Sequence, residues 1–208
     1  PGEPKTVLIY DFGGGTFDAA LVKKDNDGMM KIVDTGGDNE MGGKDLDLAI
    51  VDKLILPYLC SNYNLSSYKS EFLRSVIKGF AEESKLELSF QQSTDLLKTY
   101  PGDIDLKDDD GKDLCLNIDF SQDILHTILE PIHQRAIDLA LKVLEKNNLH
   151  KNDLDAIILV GGPTLSPVFQ KMIKAQISDK IDTSINPMTI VAKGAALFAS
   201  TKDAIISD

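Results

Sequence analysis

Three consecutive glycines constrain this chain more than any other feature. Residues 13–15 are all glycine, follow an apolar run at residues 7–10 and lie between Asp11 and Asp18. Because a glycine has no Cβ, several neighbouring backbone N–H groups can approach one anion. We interpret the segment as a phosphate-binding turn. The alternative is a tight hairpin that needs glycine only for its positive φ.

A second glycine turn near the end of the chain repeats this pattern. The apolar run at residues 156–160 leads into Gly161 and Gly162, and a segment with helical spacing follows. Two strands that each run into a glycine turn indicate a nucleotide that lies across one edge of a sheet.

The composition narrows the class of protein. A net charge of −11 on 208 residues works against binding nucleic acid or an anionic membrane, since both need a basic surface. No apolar stretch reaches the roughly 20 residues of a membrane span and no signal sequence is evident, so we expect a soluble, cytoplasmic protein. Neither the two cysteines nor the three histidines have the spacing of metal ligands. Two cysteines are also too few for a disulfide framework. The cysteines and histidines are Cys60, Cys115, His126, His133 and His150.

Hydrophobic periodicity predicts the order of the elements. Strands are predicted at residues 6–11, 16–23 and 29–35, and the turn at 25–28 makes them an antiparallel meander. The later elements are a helix at 45–59, a helix at 70–89 that buries Phe72, Leu73, Val76, Ile77 and Phe80, a strand-like stretch at 96–118, a long helix after Asp119, a strand at 156–160 and two helices that begin at Pro167 and Pro187.

Four positions carry specific expectations. The acidic run at residues 108–112 is predicted to be a solvated turn between two short strands. Asp119 is the expected N-cap of the long helix, in which Pro131 is expected to cause a kink or a break. Gly194 in the last helix is expected to pack closely against another backbone, which would offset its low helix propensity. The order of elements predicts an α/β protein whose sheet layer is interrupted by a smaller α+β insert.

Residues 11–18, 37–47, 159–162 and 185–196 form four blocks that span nearly the whole chain. In content and order they resemble the nucleotide-binding domain of the DnaK-type, seventy-kilodalton heat-shock chaperones, within the actin and sugar-kinase superfold. Four blocks in the family's order are a more specific match than a glycine triplet alone.

The resemblance implies an α/β fold, an actin-like ATPase (ribonuclease H-like) lobe with a mixed sheet flanked by helices and a smaller inserted α+β subdomain. Residues 1–47 and 123–208 would form the sheet subdomain, and residues 48–122 the cap, which meets nucleotide exchange factors. A first lobe would precede residue 1, and a peptide-binding domain would follow residue 208.

By the same resemblance, the first turn binds the phosphates of ATP or ADP. Asp11 and Asp18 would be the catalytic residues. They would hold Mg²⁺ through water, or a monovalent ion such as K⁺, because these ions prefer hard oxygen ligands such as carboxylates. The phosphate-binding residues would be Gly13, Gly14, Gly15 and Thr16.

The nucleoside end would be formed by the second glycine turn and by one face of the helix at 70–89. The alternatives are plain strand-to-helix packing for the glycines and a solvated, charged face for the helix. The nucleoside-binding residues would be Glu82, Lys85, Leu86, Ser89, Gly161, Gly162 and Leu165.

The chain departs from the family pattern at the base. Leu86 and Leu165 stand where the family has two arginines, Pro163 replaces a serine, and Met188-Thr189 replaces acidic residues. Loss of two cation–π contacts costs roughly 1–4 kcal/mol in total. One hypothesis is an apolar clamp on the two faces of adenine. The competing hypothesis is a site that is losing nucleotide binding, so base specificity stays open.

Two functions follow from the resemblance. The first is the second lobe of a chaperone ATPase domain that serves protein folding and the stress response, with nucleotide state setting peptide affinity elsewhere in the parent chain. The lobe alone is not expected to hydrolyse ATP. The second is a nucleotide-sensing or exchange-factor-like homologue with weak or no hydrolysis. A sugar kinase of the same superfold is a third hypothesis, but no substrate-binding aspartate supports it.

Overall fold

The computed structural model describes residues 3–65 and 71–206, and for residues 201–206 it describes the backbone alone. The chain packs into two units. The first unit comprises Pro1–Gly43, Arg135–Leu165 and Phe169–Asp208, and the second comprises Lys44–Gln134 and Ser166–Val168. The subdomain boundaries predicted from the sequence, at 47/48 and 122/123, stay a prediction.

A four-stranded mixed sheet lies in the first unit. Strands β1 (Lys5–Phe12), β2 (Phe17–Lys24) and β3 (Met30–Asp38) form an antiparallel meander, which confirms the prediction. Strand β6 (Ala156–Val160) pairs with β1 in parallel, so the sheet order is β3-β2-β1-β6. The mixed α/β architecture predicted from the sequence is therefore present.

An aromatic cluster forms the core beside the first glycine turn. Phe12 and Phe17 are opposite each other at the last register position before the turn, and both are fully buried. The ring of Tyr10 lies 4.7 Å from that of Phe17, and the ring of Phe169 lies 5.8 Å from that of Phe12, centroid to centroid. Aromatic pairs at such distances add to the burial of their apolar area. The strand ends that carry the turn are thus held by the core.

Two further helices belong largely to the first unit. Helix α5 (Pro167–Gln176) begins at the proline where the sequence predicts it. Helix α6 (Ile190–Ile206) begins three residues after the predicted Pro187, because the Asn186 side chain and carbonyl accept N–H groups of an intervening turn. The close packing expected at Gly194 is wrong, since a Cβ there would meet no atom of the described residues within 4 Å.

The second unit opens with a helical stretch. Helix α1 (Gly43–Ile50) continues through a π-helical turn (Val51–Ile55) into helix α2 (Leu56–Asn62), where the sequence predicts one helix at 45–59. The helical prediction is confirmed, but the π-helical turn has no signature in the apolar spacing.

Helix α3 (Glu71–Glu87) follows, while Ser70, the predicted first residue, lies outside the described residues. Its buried face carries Leu73, Ile77, Ala81 and Ser84. The expectation that Phe72 is buried is wrong, because it lies about a quarter turn away from Leu73 and is 61% exposed.

The stretch 96–118 contains no strand in the structure. The strands predicted at 104–106 and 114–116 are not formed, although the two segments are antiparallel neighbours: the Leu114 N–H donates to the Leu106 carbonyl at 2.9 Å and an isolated bridge joins Lys107 to Asp113. A second isolated bridge joins Lys98 to Asn117. The pairing strands are the two-residue β4 (Ser93–Thr94) and β5 (Phe120–Ser121).

The acidic turn in this stretch is held by a buried carboxylate. Asp108 accepts the backbone N–H groups of Asn64, Asp110 and Lys112, so the expectation of a wholly solvated turn is wrong at this position. Burial raises the pKa of Asp108, but these backbone bonds lower it by more, and the net direction is downward.

Helix α4 (Gln122–Lys146) runs through Pro131 without a break. The expected N-cap Asp119 forms an ion pair with Lys98 at 3.0 Å instead, and the hydroxyl of Ser121 accepts the N–H of Ile124 at 3.4 Å. Within the described ranges, none of the helices has the length and apolar character that a membrane crossing requires.

Candidate functional site

The first glycine turn is closed by its own backbone. The N–H of Gly13 donates to the carbonyl of Thr16 at 2.9 Å, and the Thr16 hydroxyl donates to Asp18 at 3.3 Å. Among the residues that the structure describes, the N–H groups of Gly14 and Gly15 have no backbone acceptor. The turn can therefore offer these two N–H groups to an anion, whereas that of Gly13 is already engaged.

The glycines of this turn are not required by their φ angles. Positive φ occurs at Gly28, Gly102, Gly111 and Gly161 but at none of residues 13–15, so the hairpin alternative loses its stated reason. A Cβ added at Gly14 would meet no described atom within 4 Å. One side of the turn is therefore open.

The start of α1 supports the turn from the other side. A Cβ at Gly42 would overlap the backbone of Gly15, and the N–H of Gly43 donates to the carbonyl of Gly13 at 2.9 Å. The Cβ position of Gly43 is 3.6 Å from the Cα of Gly14 and 3.5 Å from the ring of Pro163. The missing side chain at residue 42 lets the two backbone segments come together, and at residue 43 a Cβ would make only ordinary contacts with the two turns.

The two glycine turns leave the sheet at the same end. Asp11 of β1 and Val160 of β6 are register partners in a parallel pair, so the residues that follow them are neighbours. A Cβ at Gly161 would overlap the carbonyl oxygen of Phe12 and would lie 3.3 Å from the nitrogen of Gly13. The sequence predicts turns at one sheet edge, and the structure brings them into contact.

The conformation of Gly161 in the second turn is fixed by hydrogen bonds on both sides of the residue. Its φ is +90°, its N–H donates to the carbonyl of Pro187 at 3.1 Å, and its carbonyl accepts the hydroxyl of Thr164 at 2.7 Å. The Cβ position of Gly162 is 3.7 Å from the sulfur of Met188, and the Leu165 side chain is half-buried. The sequence singles out these residues but not the Pro187 carbonyl, which has no sequence signal.

The two predicted catalytic carboxylates belong to residues that are neighbours on adjacent strands. Asp11 and Asp18 are register partners in the β1–β2 pair, one position further from the turn than Phe12 and Phe17. Burial, and then the charge of Asp18, raise the pKa of Asp11. Two carboxylates held close enough to repel are the arrangement that a bound cation relieves. Within the described ranges no group of three or more His, Cys, Asp or Glu side chains could hold a metal ion.

The helix face predicted to meet a nucleoside lies in the second unit. Glu82 is exposed and Leu86 is 48% exposed. Lys85 is half-buried, and its ammonium pairs with Asp47 of α1 at 2.5 Å. The hydroxyl of Ser89 donates to the Lys85 carbonyl at 3.2 Å. The face therefore presents a carboxylate, a cation held by a carboxylate, and an apolar side chain.

Sequence reasoning does not find Asp47 as a partner of this face. The only signal is an acidic residue inside the apolar run of α1, where its neighbour Leu46 belongs to the core. Such a position often indicates a buried charge that pairs with another element.

The comparisons with known proteins agree with this geometry. The chain matches the family model "Hsp70 protein" over residues 2–205. It is 32% identical to the chaperone protein DnaK of Elusimicrobium minutum (strain Pei191) over its whole length, and 31% identical to the chaperone protein DnaK of Carsonella ruddii (strain PV) over 98% of its length. In both comparisons the chain spans 33% of the relative's length. The chain therefore belongs to the Hsp70 family and corresponds to part of the ATPase domain of these chaperones.

Proposed function

We propose that this chain is the second lobe of an Hsp70-type ATPase domain and that its two glycine turns bind the phosphates and the ribose end of ATP or ADP. The observation that carries the proposal is the contact between the turns, at Gly161 and the Phe12–Gly13 peptide. Nucleotide state would then set peptide affinity elsewhere in the full-length protein. The proposal includes a sheet subdomain and an inserted cap with the predicted boundaries, and a cytoplasmic location.

Phosphate binding would use the open side of the first turn. The N–H groups of Gly14 and Gly15 are the donors, the Thr16 hydroxyl would exchange its bond to Asp18 for one to a phosphate oxygen, and Gly13 contributes by closing the turn. Because the turn is already formed by internal bonds, binding does not have to order it. Gly161 and Gly162 would let the ribose and the α-phosphate approach the backbone of the second turn.

A cation fits the pair of carboxylates beside the turn. Asp11 and Asp18 would hold Mg²⁺ through water, or K⁺, and the ion would neutralise charge on the phosphates during transfer to water. The contribution of this chain is to fix the carboxylates on adjacent strands and to keep Asp11 half-buried beside the turn.

In the second unit, α3 would meet the nucleoside. Glu82 offers an acceptor for ribose hydroxyls, Lys85 offers a cation, and Ser89 lies in the turn that follows the helix. Leu86 would give the base an apolar contact in place of a charged one.

The rest of the parent chain would complete the site. The relatives are about three times as long as this chain, which leaves room for a first ATPase lobe and a peptide-binding domain. Helix α6 supports the need for another covering segment, because its apolar side chains Val191, Leu197 and Phe198 are exposed. A nucleotide exchange factor would bind the 48–122 region.

The proposal is tested with Gly14→Ala in the full-length protein. A methyl group at position 14 meets nothing in the structure, so folding should be unaffected, but it would stand where a phosphate approaches the N–H groups. We expect ATP affinity to fall at least tenfold, measured by calorimetry with Mg²⁺, with an unchanged melting temperature. Gly79→Ala, which also meets open space but lies on α3, is the matched control. ATP binding by Gly14→Ala that equals that of the parent refutes the proposal.

The alternative function, a nucleotide sensor or exchange-factor-like homologue without efficient hydrolysis, has specific support. Leu86 is exposed on the nucleoside face, and the Met188 sulfur lies against Gly162, where the family pattern has charged residues. Multiple-turnover ATP hydrolysis by the full-length protein separates the two functions. Sustained turnover favours the ATPase, and binding without turnover favours the sensor.

A further inference from the structure

A buried ion pair joins α1 to α3 in the second unit. The Asp47 and Lys85 side chains are only 4% and 13% exposed, and the carboxylate and ammonium are 2.5 Å apart. Burial raises the pKa of Asp47, and the hydrogen bond from Lys85 opposes that shift without cancelling it.

A buried ion pair of this kind adds little to the free energy of unfolding. Removing two charges from water costs free energy that their attraction repays only in part, and an apolar pair of similar volume often joins two elements as well. What the pair does provide is a fixed location for one cation. The four-carbon stem of a lysine has many rotamers, and a buried carboxylate at hydrogen-bond distance selects one of them.

The location that it fixes is on the face of α3 that carries Glu82 and Leu86, beside Ser89 in the turn that follows the helix. The hydroxyl of Ser89 donates to the backbone carbonyl of Lys85 and is thereby held in place beside this face. The cation of this face and the hydroxyl beside it are therefore both ordered before any ligand arrives.

We propose that Asp47 is a positioning residue for nucleoside recognition: it holds the Lys85 ammonium at the α3 face, so that a bound nucleoside meets an ordered cation. This inference rests on the proposed function. Releasing one long side chain from a fixed rotamer should weaken nucleoside binding by about tenfold. A ligand that consists of phosphates alone should not sense the change.

The first test compares two ligands of full-length Asp47→Asn. We expect the dissociation constant of Mg²⁺-ATP to rise about tenfold, while that of Mg²⁺-tripolyphosphate stays the same. Asp47→Glu, which keeps the charge, should recover most of the ATP affinity. An equal loss for both ligands would indicate general damage to the fold, and tighter ATP binding would indicate that Asp47 withholds Lys85 from the ligand. Either result overturns the proposal.

The second test needs no variant and therefore does not depend on the folding of one. In the full-length protein labelled with ¹⁵N lysine, the ammonium signal of Lys85 should shift on addition of ADP and stay in place on addition of tripolyphosphate. Lys180, whose ammonium donates to the Leu154 carbonyl at 2.7 Å, is the control signal and should not move. If ADP binds and the Lys85 signal stays unchanged, the positioning role is wrong while the proposed function stands. If ADP does not bind at all, the proposed function fails as well.

Discussion

The buried histidine of α4 should make the second unit sensitive to acid. His133 is 2% exposed, and burial, followed by the charges of His126 on the same helix and Lys85 on α3, lowers its pKa to about 3. In the unfolded chain its pKa is about 6.5. Below pH 6.5 the unfolded state therefore binds a proton at His133 that the folded state does not bind. The contribution of the neutral, buried His133 to the free energy of unfolding is present above pH 6.5 and is lost as the pH falls.

The magnitude follows from the same shift. Between pH 6.5 and pH 5 the unfolded state gains about 1.4 kcal/mol per pH unit, so about 2 kcal/mol is lost over this interval. The loss at pH 5 depends little on the folded pKa as long as that value stays well below 5. A His133→Leu variant should lack this part of the pH dependence, whatever its stability at pH 7.5.

The assay is hydrogen exchange followed by mass spectrometry on α4 peptides of the full-length protein, across a urea series at pH 7.5, 6 and 5. The parent should lose about 2 kcal/mol more than His133→Leu between the two extremes. His150→Gln, which changes an exposed histidine, is the control and should follow the parent. Equal pH dependence in the parent and His133→Leu would refute the reasoning.

Three further predictions concern stability and are measured by urea unfolding of the full-length protein. Gly161→Ala should destabilise the first unit by roughly 2–5 kcal/mol, since it adds a left-handed alanine and an overlap with the Phe12 carbonyl; a loss below 1 kcal/mol would contradict the close approach of the two turns. Tyr10→Phe should be neutral or stabilise by up to about 1 kcal/mol, because within the described ranges the buried hydroxyl has no partner; a clear loss would reveal one. Asp108→Ala should destabilise the second unit because three backbone N–H groups lose their acceptor, and an unchanged free energy of unfolding would contradict this.

The sheet and its turns can be predicted from the sequence because their signals are local. The apolar run of β1, the hairpin turn at residues 25–28 and the glycines that follow β1 and β6 are each contained in a few neighbouring residues. The contact between the turns then follows from the parallel pairing of β6 with β1. The same holds for α5, whose first residue is the proline that the sequence indicates.

Some features that were predicted wrongly or not at all depend on residues that are distant in sequence. The N-cap of α4 depends on a choice between Asp119 and Ser121, and Lys98, distant in sequence, takes Asp119 as an ion-pair partner. The ion pair of Asp47 with Lys85 likewise joins residues that are 38 positions apart. Long-range polar pairs leave no periodic trace in the sequence, so neither arrangement could be read from the spacing of apolar residues.

The steric role of the glycines affects how relatives of this chain should be compared. At positions 42 and 161 a methyl group would strike backbone whether or not a ligand is present, so a descendant that had abandoned nucleotides would still be selected to keep glycine there. Position 14 is under no such constraint, because it faces open space. If the first turn binds phosphate as proposed, a larger residue at position 14 would mark a lineage that has lost this binding.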